Sequence, residues 1–317
     1  MYIINYRVTV LTDVVEHNVC DMNDMISELP EDVLLYILSL LPTKDAVRTS
    51  ILATKWRNLW TCLSAFDFEI LDCKSYDPES ANCLLDLVQR LLHKSSRIER
   101  LCVQIFRTTN IDANKISYLM YSASKHEIQY LRLSLGDRSD KLVLLHSFFG
   151  FESLNELYLG LEYTLYISNG NFFPSLKTLV VSDENSVQRL FSGCPVLLEL
   201  TLYNCYWENI KKISVAISTL KKLIICFNIF CVDYDHDMTV MIDAVNLLSL
   251  RCTCNPTIEF IPVNLTSIVD ACIDLGYDYL DNELYAAHCA IKLLSGISNV
   301  KSLKLSNDTL QCESGNK

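Results

Sequence analysis

Glycine and proline are scarce, 8 and 7 in 317 residues, and no two glycines form a G-x-G pair. That excludes both the dinucleotide fingerprint and the phosphate-cradling loop, which need glycine where the backbone closes on a phosphate. Long hydrophobic runs are missing too. No stretch of roughly 18 uncharged apolar residues exists to span a bilayer, and Tyr2 to Leu11 carries Arg7 where the apolar core of a secretory signal would lie. Basic residues are in the minority: 27 Lys and Arg against 38 Asp and Glu leave a net charge of −11, which a phosphate backbone repels. Lys211-Lys212 and Lys221-Lys222 are short, flanked by apolar residues, and read as a solvated face.

Catalytic constellations are also absent. Ser192-Gly193-Cys194 lacks the G-x-S-x-G elbow and reads as a turn. Cys252 and Cys254 are too close for a C-x-x-C zinc pair and read as strand cysteines. Asp233, Asp235, His236 and Asp237 form one polar cluster, but an EF-hand would need acids over twelve residues and a central glycine, so a solvated loop is expected. The histidines are dispersed. No cofactor, metal or catalytic residue is expected.

Half the residues are apolar, and the 14 cysteines are scattered through Leu/Ile-rich stretches rather than set in a compact framework. A reducing compartment follows, cytoplasm and/or nucleus.

The apolar pattern changes period twice. Residues 1–23 read as a tail. From Pro30, Glu31 and Asp32, a favourable helix start, Val33, Leu34, Ile37, Leu38 and Leu41 recur at helical spacing until Pro42. Thr43 is expected to cap a second helix through Val47, Ile51 and Leu52, and a third is expected through Trp56, Leu59 and Trp60. Residues 24–65 thus hold more large apolar side chains than so small a bundle can cover, which calls for a partner surface. DNA binding by this bundle is disfavoured, because the second helix offers only Lys44, Arg48 and Lys55 against Asp45.

From residue 66 to 305 the unit L-x-x-L-x-L recurs: Ile128/Leu131/Leu133, Leu154/Leu157/Leu159, Leu176/Leu179/Val181, Leu197/Leu200/Leu202, Leu220/Leu223/Ile225 and Val245/Leu248/Leu250. The spacing of about 20 to 26 residues falls in the leucine-rich repeat range. Cys205 and Asn228 sit where that pattern places Asn or Cys, whereas other units have Gly136, Glu162, Glu184 and Thr253. Strands are also expected at Leu101 to Ile105, Val269 to Leu275 and Val300 to Leu305, making about nine, with helices at Leu84 to Leu92 and Ile116 to Ala123 behind a curved parallel sheet. The expected class is α/β, a three-helix module followed by a solenoid. Residues 306–317 form a polar tail, and no terminal cap is visible.

Leu29-Pro30-Glu31-Asp32-Val33-Leu34, Leu41-Pro42-Thr43 to Ser50, and Trp56-Arg57-Asn58-Leu59-Trp60 closely resemble a plant F-box. Pro174 to Leu179 and Ser192 to Leu197 are similar to plant F-box/leucine-rich-repeat proteins of the FBD group. That resemblance implies an F-box binding an SKP-type adaptor and, through it, a cullin, in an SCF-type E3 ubiquitin ligase, while the repeats hold a protein target. The chain itself would be non-catalytic. Related chains often continue with further repeats and an FBD segment, so truncation or degeneracy is one expectation, and a repeat scaffold without a ligase role is the alternative.

Leu29, Pro30, Leu34, Ile37, Leu38, Leu41, Pro42, Val47, Ile51, Leu52 and Trp56 are the candidate adaptor-binding residues, some of which must be internal packing. For the target, the x positions of the repeats leave the core, which selects Tyr130, Arg132, Tyr158, Thr201, Tyr203 and Arg251.

Overall fold

The structure is a computed structural model that describes residues 26–70, 78–108, 111–137, 143–145, 150–161, 164–166, 173–182, 190–191, 193–203, 212–227, 238–254, 258–276, 283–306 and 309. The expected N-terminal tail, the Asp233 to Asp237 cluster, Glu162, Glu184, Cys205, Asn228 and most of the polar tail lie outside them.

The N-terminal module opens with α1 (Glu31–Ser39) and α2 (Thr43–Arg48). Three short 3₁₀ turns follow: Thr49–Ile51 ends the second helix before the expected Ile51 and Leu52, and Thr54–Trp56 and Leu59–Cys62 stand in place of the expected third α-helix. The reason is local: Ala53 is extended at φ −158°, ψ 165°, and Asn58 leaves the helical basin at φ −121°, ψ 0°, so no α-helical run can propagate across either. Thr43 is not a cap either. It is the first residue of α2, and its hydroxyl points to the repeats. Leu34, Leu38, Ala46, Trp56 and Leu59 form a small separate core. Lys55 Nζ closes it from outside, donating to the carbonyls of Ser27 and Leu29 at 2.7 Å each, while Trp56 Nε1 donates to Ser27 Oγ at 2.9 Å.

The remaining elements, in chain order, are β1 (Ala65–Ile70), α3 (Pro78–Lys94), β2 (Arg100–Thr108), α4 (Ala113–Ala123), β3 (Tyr130–Asp137), β4 (Val143–Leu145), β5 (Glu156–Leu161), β6 (Thr164–Tyr166) and β7 (Thr178–Ser182). Then come β8 (Glu199–Tyr203), β9 (Lys212–Ala216), β10 (Lys222–Cys226), β11 (Thr239–Asp243), β12 (Ser249–Cys254), β13 (Glu259–Val263), β14 (Asp270–Leu275), α5 (Glu283–Gly296) and β15 (Ser302–Leu305). Ten of these strands make one sheet in the order β1-β2-β3-β5-β7-β8-β10-β12-β14-β15, with every pair parallel. One strand per repeat is what the L-x-x-L-x-L spacing requires.

Register fixes the repeat phase. Leu101, Leu131, Leu157, Leu179, Leu200, Leu223 and Leu250 stand opposite one another, and all are buried. The sixth unit is therefore Leu247/Leu250/Cys252, all buried, and not Val245/Leu248/Leu250, where Val245 and Leu248 are exposed. The two phases differ by two residues, an even slip, so each strand residue keeps its face of the sheet. β1 joins the sheet through Phe66 and Phe68, aromatic residues at the two strand positions that Leu101 and Val103 fill next door.

Behind the sheet, helices among the described residues cover only part of its length. α3 and α4 pack together, joined by Lys115 Nζ to Asp86 Oδ1 at 2.7 Å and by Gln89 Nε2 to the Lys115 carbonyl. Further along the chain a second parallel sheet, β13-β11-β9, takes the helices' place. Its strands alternate buried and part-exposed residues, Ile213 and Val215, then Val240 and Ile242, feeding the same core. α5 packs against it so closely that a Cβ on Gly296 would lie 2.0 Å from Pro262 Cγ. Polar side chains tie successive repeats: Ser153 Oγ donates to the Ile128 carbonyl, Thr219 Oγ1 to that of Leu197, and Asn246 Nδ2 to that of Ser218. Thr309, fully buried, accepts from the Leu275 amide at 2.8 Å.

Candidate functional site

Two surfaces emerge from this arrangement. The first is on the N-terminal module. α1 carries apolar residues around most of its circumference, so one set must face the interior while another is left outside. Leu34 and Leu38 are fully buried and Trp56 is 3% exposed, which removes these three from the expected adaptor face: they hold the module together. Leu29, Ile37 and Val47 are half-buried, and Pro30, Leu41, Pro42, Ile51 and Leu52 are exposed. Ile51 at 85% and Leu52 at 66% are wide open, at the end of the 3₁₀ turn after α2. Ile26, Val33, Tyr36 and Leu40 are exposed as well, and were not among the expected residues. For Leu40 the signal was present in the sequence, since Leu40-Leu41-Pro42 are consecutive apolar residues that a helix of this size cannot all bury.

The second surface is the open face of the long sheet. Register sorts its side chains into rows. One row runs Arg100, Tyr130, Glu156, Thr178, Glu199, Lys222, Ser249, Asp270. The next runs Cys102, Arg132, Tyr158, Val180, Thr201, Ile224, Arg251, Cys272, Lys304. Three expected residues meet: the Arg132 guanidinium carbon lies 4.6 Å from the Tyr158 ring centre, and the Tyr130 and Tyr158 rings are 5.1 Å apart. Arg100, which sequence reasoning missed, lies 3.7 Å over Tyr130 and completes a stack across β2, β3 and β5. Each guanidinium over a ring is attracted to the π face. Burial, with Tyr130 and Glu156 alongside, pushes the Tyr158 phenol up, so it stays protonated and donates to Glu156 at 3.4 Å. Thr201 and Arg251 share a row with Tyr158 but stand strands away, and Tyr203 lies one row further along β8. The structure does not gather them around the stack.

Residues 26–66 match the F-box domain model, and residues 116–268 match the repeat model described as FBD-associated F-box protein At5g56370, LRR repeats. F-box/LRR-repeat protein At4g14103 of Arabidopsis thaliana is 31% identical over 91% of this chain and 79% of its own length. The chain belongs to the plant F-box/LRR-repeat family. FBD-associated F-box protein At4g13985 and F-box/LRR-repeat protein At3g59200, from the same plant, are 32% and 30% identical over 92% and 91% of this chain. This F-box/LRR-repeat chain spans 66% and 60% of their respective lengths.

Among the described residues no group of three or more His, Cys, Asp and Glu is placed to hold a metal ion, and no helix is long and apolar enough to cross a membrane. Cys252 and Cys254 face the core with their sulfurs 3.4 Å apart, and their mutual hydrogen bond together with burial pushes the Cys254 thiol far up. Burial alone pushes Cys194 up to about 12. Such thiols are not nucleophiles at neutral pH.

Proposed function

We propose that this chain is the substrate-recognition subunit of an SCF-type E3 ubiquitin ligase, with the F-box docking on an SKP-type adaptor and the repeats presenting a target protein. The observation that supports it is the exposed apolar set on the F-box, Val33, Leu40, Leu41, Ile51 and Leu52, beside a core already complete without them. A small module that leaves such residues in water gains by covering them with a partner. The repeats are read as a curved solenoid whose open sheet face is the target surface, in a chain working in cytoplasm or nucleus.

On this reading catalysis is by proximity. The ligase raises the effective concentration of a target lysine beside an activated ubiquitin thioester carried by another subunit. Adaptor, cullin and target bind this chain directly or in series, and it supplies position. The F-box fits that task because it is fixed to the sheet: Trp60 and Leu63 pack against both cores.

The test is co-expression with an SKP-type adaptor followed by size-exclusion chromatography. A stoichiometric complex is expected. No association at micromolar concentrations rejects the assignment.

A further inference from the structure

The charges on the open sheet face are unevenly satisfied. In the row that begins at Arg100, each carboxylate has a partner within the chain: Glu156 accepts from the Tyr158 hydroxyl, Glu199 from Lys222 Nζ at 3.1 Å, and Asp270 from Ser249 Oγ at 2.6 Å. The adjacent row, from Asp67 on β1 to Lys304, contains Arg132, Arg251 and Lys304, and its one carboxylate, Asp67, stands two strands before Arg132, outside the stretch from Arg132 to Arg251. Among the described residues none of these three cations has an acid within ion-pair distance. Asp270 and Asp274 on β14 flank Arg251 diagonally without closing on it. Between Arg132 and Arg251 the row is uncharged: Tyr158, Val180, Thr201 and Ile224, all half-buried. In a chain of net charge −11, uncompensated cations bracketing an uncharged strip fit an anionic partner with an apolar centre.

From this pattern we infer that the row seats an extended peptide segment of the target, lying across the strands, with one Asp or Glu at each end and apolar residues between. The inference rests on the reading of the sheet as the target surface. Arg132 is on β3 and Arg251 on β12, five strand steps apart in the sheet order. At about 4.8 Å per step that is roughly 24 Å, the length of about seven extended residues. The Arg132 guanidinium, its carbon 4.6 Å from the Tyr158 ring centre, would grip a carboxylate through two parallel hydrogen bonds. Arg251, exposed, does the same at the far end. Val180 and Ile224 offer apolar contact between them, so sequence specificity comes from acidic residues at a fixed spacing with an apolar interior.

The test is selection of a random linear peptide library on the purified full chain, followed by fluorescence-anisotropy titration of the enriched peptides. Enriched sequences should carry two acidic residues about seven positions apart, and Arg132→Gln or Arg251→Gln should each weaken binding roughly tenfold. Arg→Lys at the same positions should restore part of the loss. Peptides without paired acids, binding unchanged in both Gln variants, or no enrichment at all would overturn the proposal. Adaptor binding is measured on the same proteins: its loss with the acidic preference intact strikes the ligase reading alone, while the reverse outcome strikes only the peptide proposal.

Discussion

The Thr43 hydroxyl accepts the Asp67 backbone N–H at 2.8 Å, joining α2 of the F-box to β1 of the repeats. β1 is an end strand of the sheet, paired among the described residues to β2 on one side. The F-box thus covers one end of the sheet, and Thr43, 7% exposed, satisfies an amide there.

Thr43→Val keeps the shape and removes the acceptor, and because Asp67 is exposed the loss is that of an ordinary hydrogen bond, about 1 kcal/mol. Denaturant unfolding should show that loss, and hydrogen exchange should show faster exchange at Asp67. Thr43→Ser should recover most of both. An unchanged exchange rate in the Val variant would mean that the joint does not depend on this bond.

On the F-box, burial separates two classes of apolar residue. Ile51→Asp and Leu52→Asp, at 85% and 66% exposed positions, should leave the melting temperature within a few degrees and weaken adaptor binding at least about tenfold, or about 1.4 kcal/mol. Leu34→Ala and Leu38→Ala should instead destabilise the module by about 2 to 5 kcal/mol. Thermal melts beside adaptor titrations distinguish the two. Should the Asp variants bind as wild type, the docking face lies elsewhere.

The corrected repeat phase makes a sharp comparison of neighbours. Leu247 is fully buried and Leu248 is 42% exposed. Leu247→Ala should cost about 2 to 5 kcal/mol and Leu248→Ala under about 1 kcal/mol. Equal costs, or the reverse order, in urea unfolding would restore the Val245/Leu248 phase.

These cases show what the sequence makes legible. Strands with Leu at the fixed positions were readable because Leu131, Leu157, Leu179, Leu200 and Leu223 mark the register by themselves. β1 was not, because Phe66 and Phe68 stand in for leucine and no complete unit precedes them. The second sheet escaped for another reason: Lys212–Ala216, Thr239–Asp243 and Glu259–Val263 are five-residue alternations that sit between repeats where helices are expected. On α1, Leu34 and Ile37 are both at helical spacing, and only packing decides that one is interior. Arg100 sits just before Leu101, one residue ahead of the expected strand, so its place over Tyr130 came only from the β2–β3 register.

Thiol accessibility should divide the cysteines sharply. Cys62 and Cys83 are exposed, while Cys194, Cys252 and Cys254 are buried; burial pushes the Cys194 thiol up, and the hydrogen bond with Cys252 together with burial pushes Cys254 up. Iodoacetamide labelling read by mass spectrometry should modify Cys62 and Cys83 in the native protein and the other three only after unfolding. Native labelling at Cys252 or Cys254 would show that β12 opens on the time scale of the reaction.

Lys292 on α5 donates to Glu259 on β13, and this bond, helped by Thr239, holds the Glu259 carboxyl below its ordinary value despite some opposing desolvation. A folded-state pKa below the unfolded one contributes stability that is present above the unfolded value, about 4.3, and is lost as pH falls through the folded value. Both side chains are about a third exposed, 36% and 28%, so solvent screening limits the pair to under about 1 kcal/mol. Lys292→Met should therefore lower stability by up to that amount at about pH 7, and the difference should shrink toward zero at a pH low enough to protonate Glu259 in both folded proteins. A double-mutant cycle with Glu259→Gln at the two pH values isolates the pair from the packing of the lysine stem against the strand. A coupling energy that is the same at both would show that α5 is held to the second sheet by packing, with Gly296 against Pro262 as the contact to probe next.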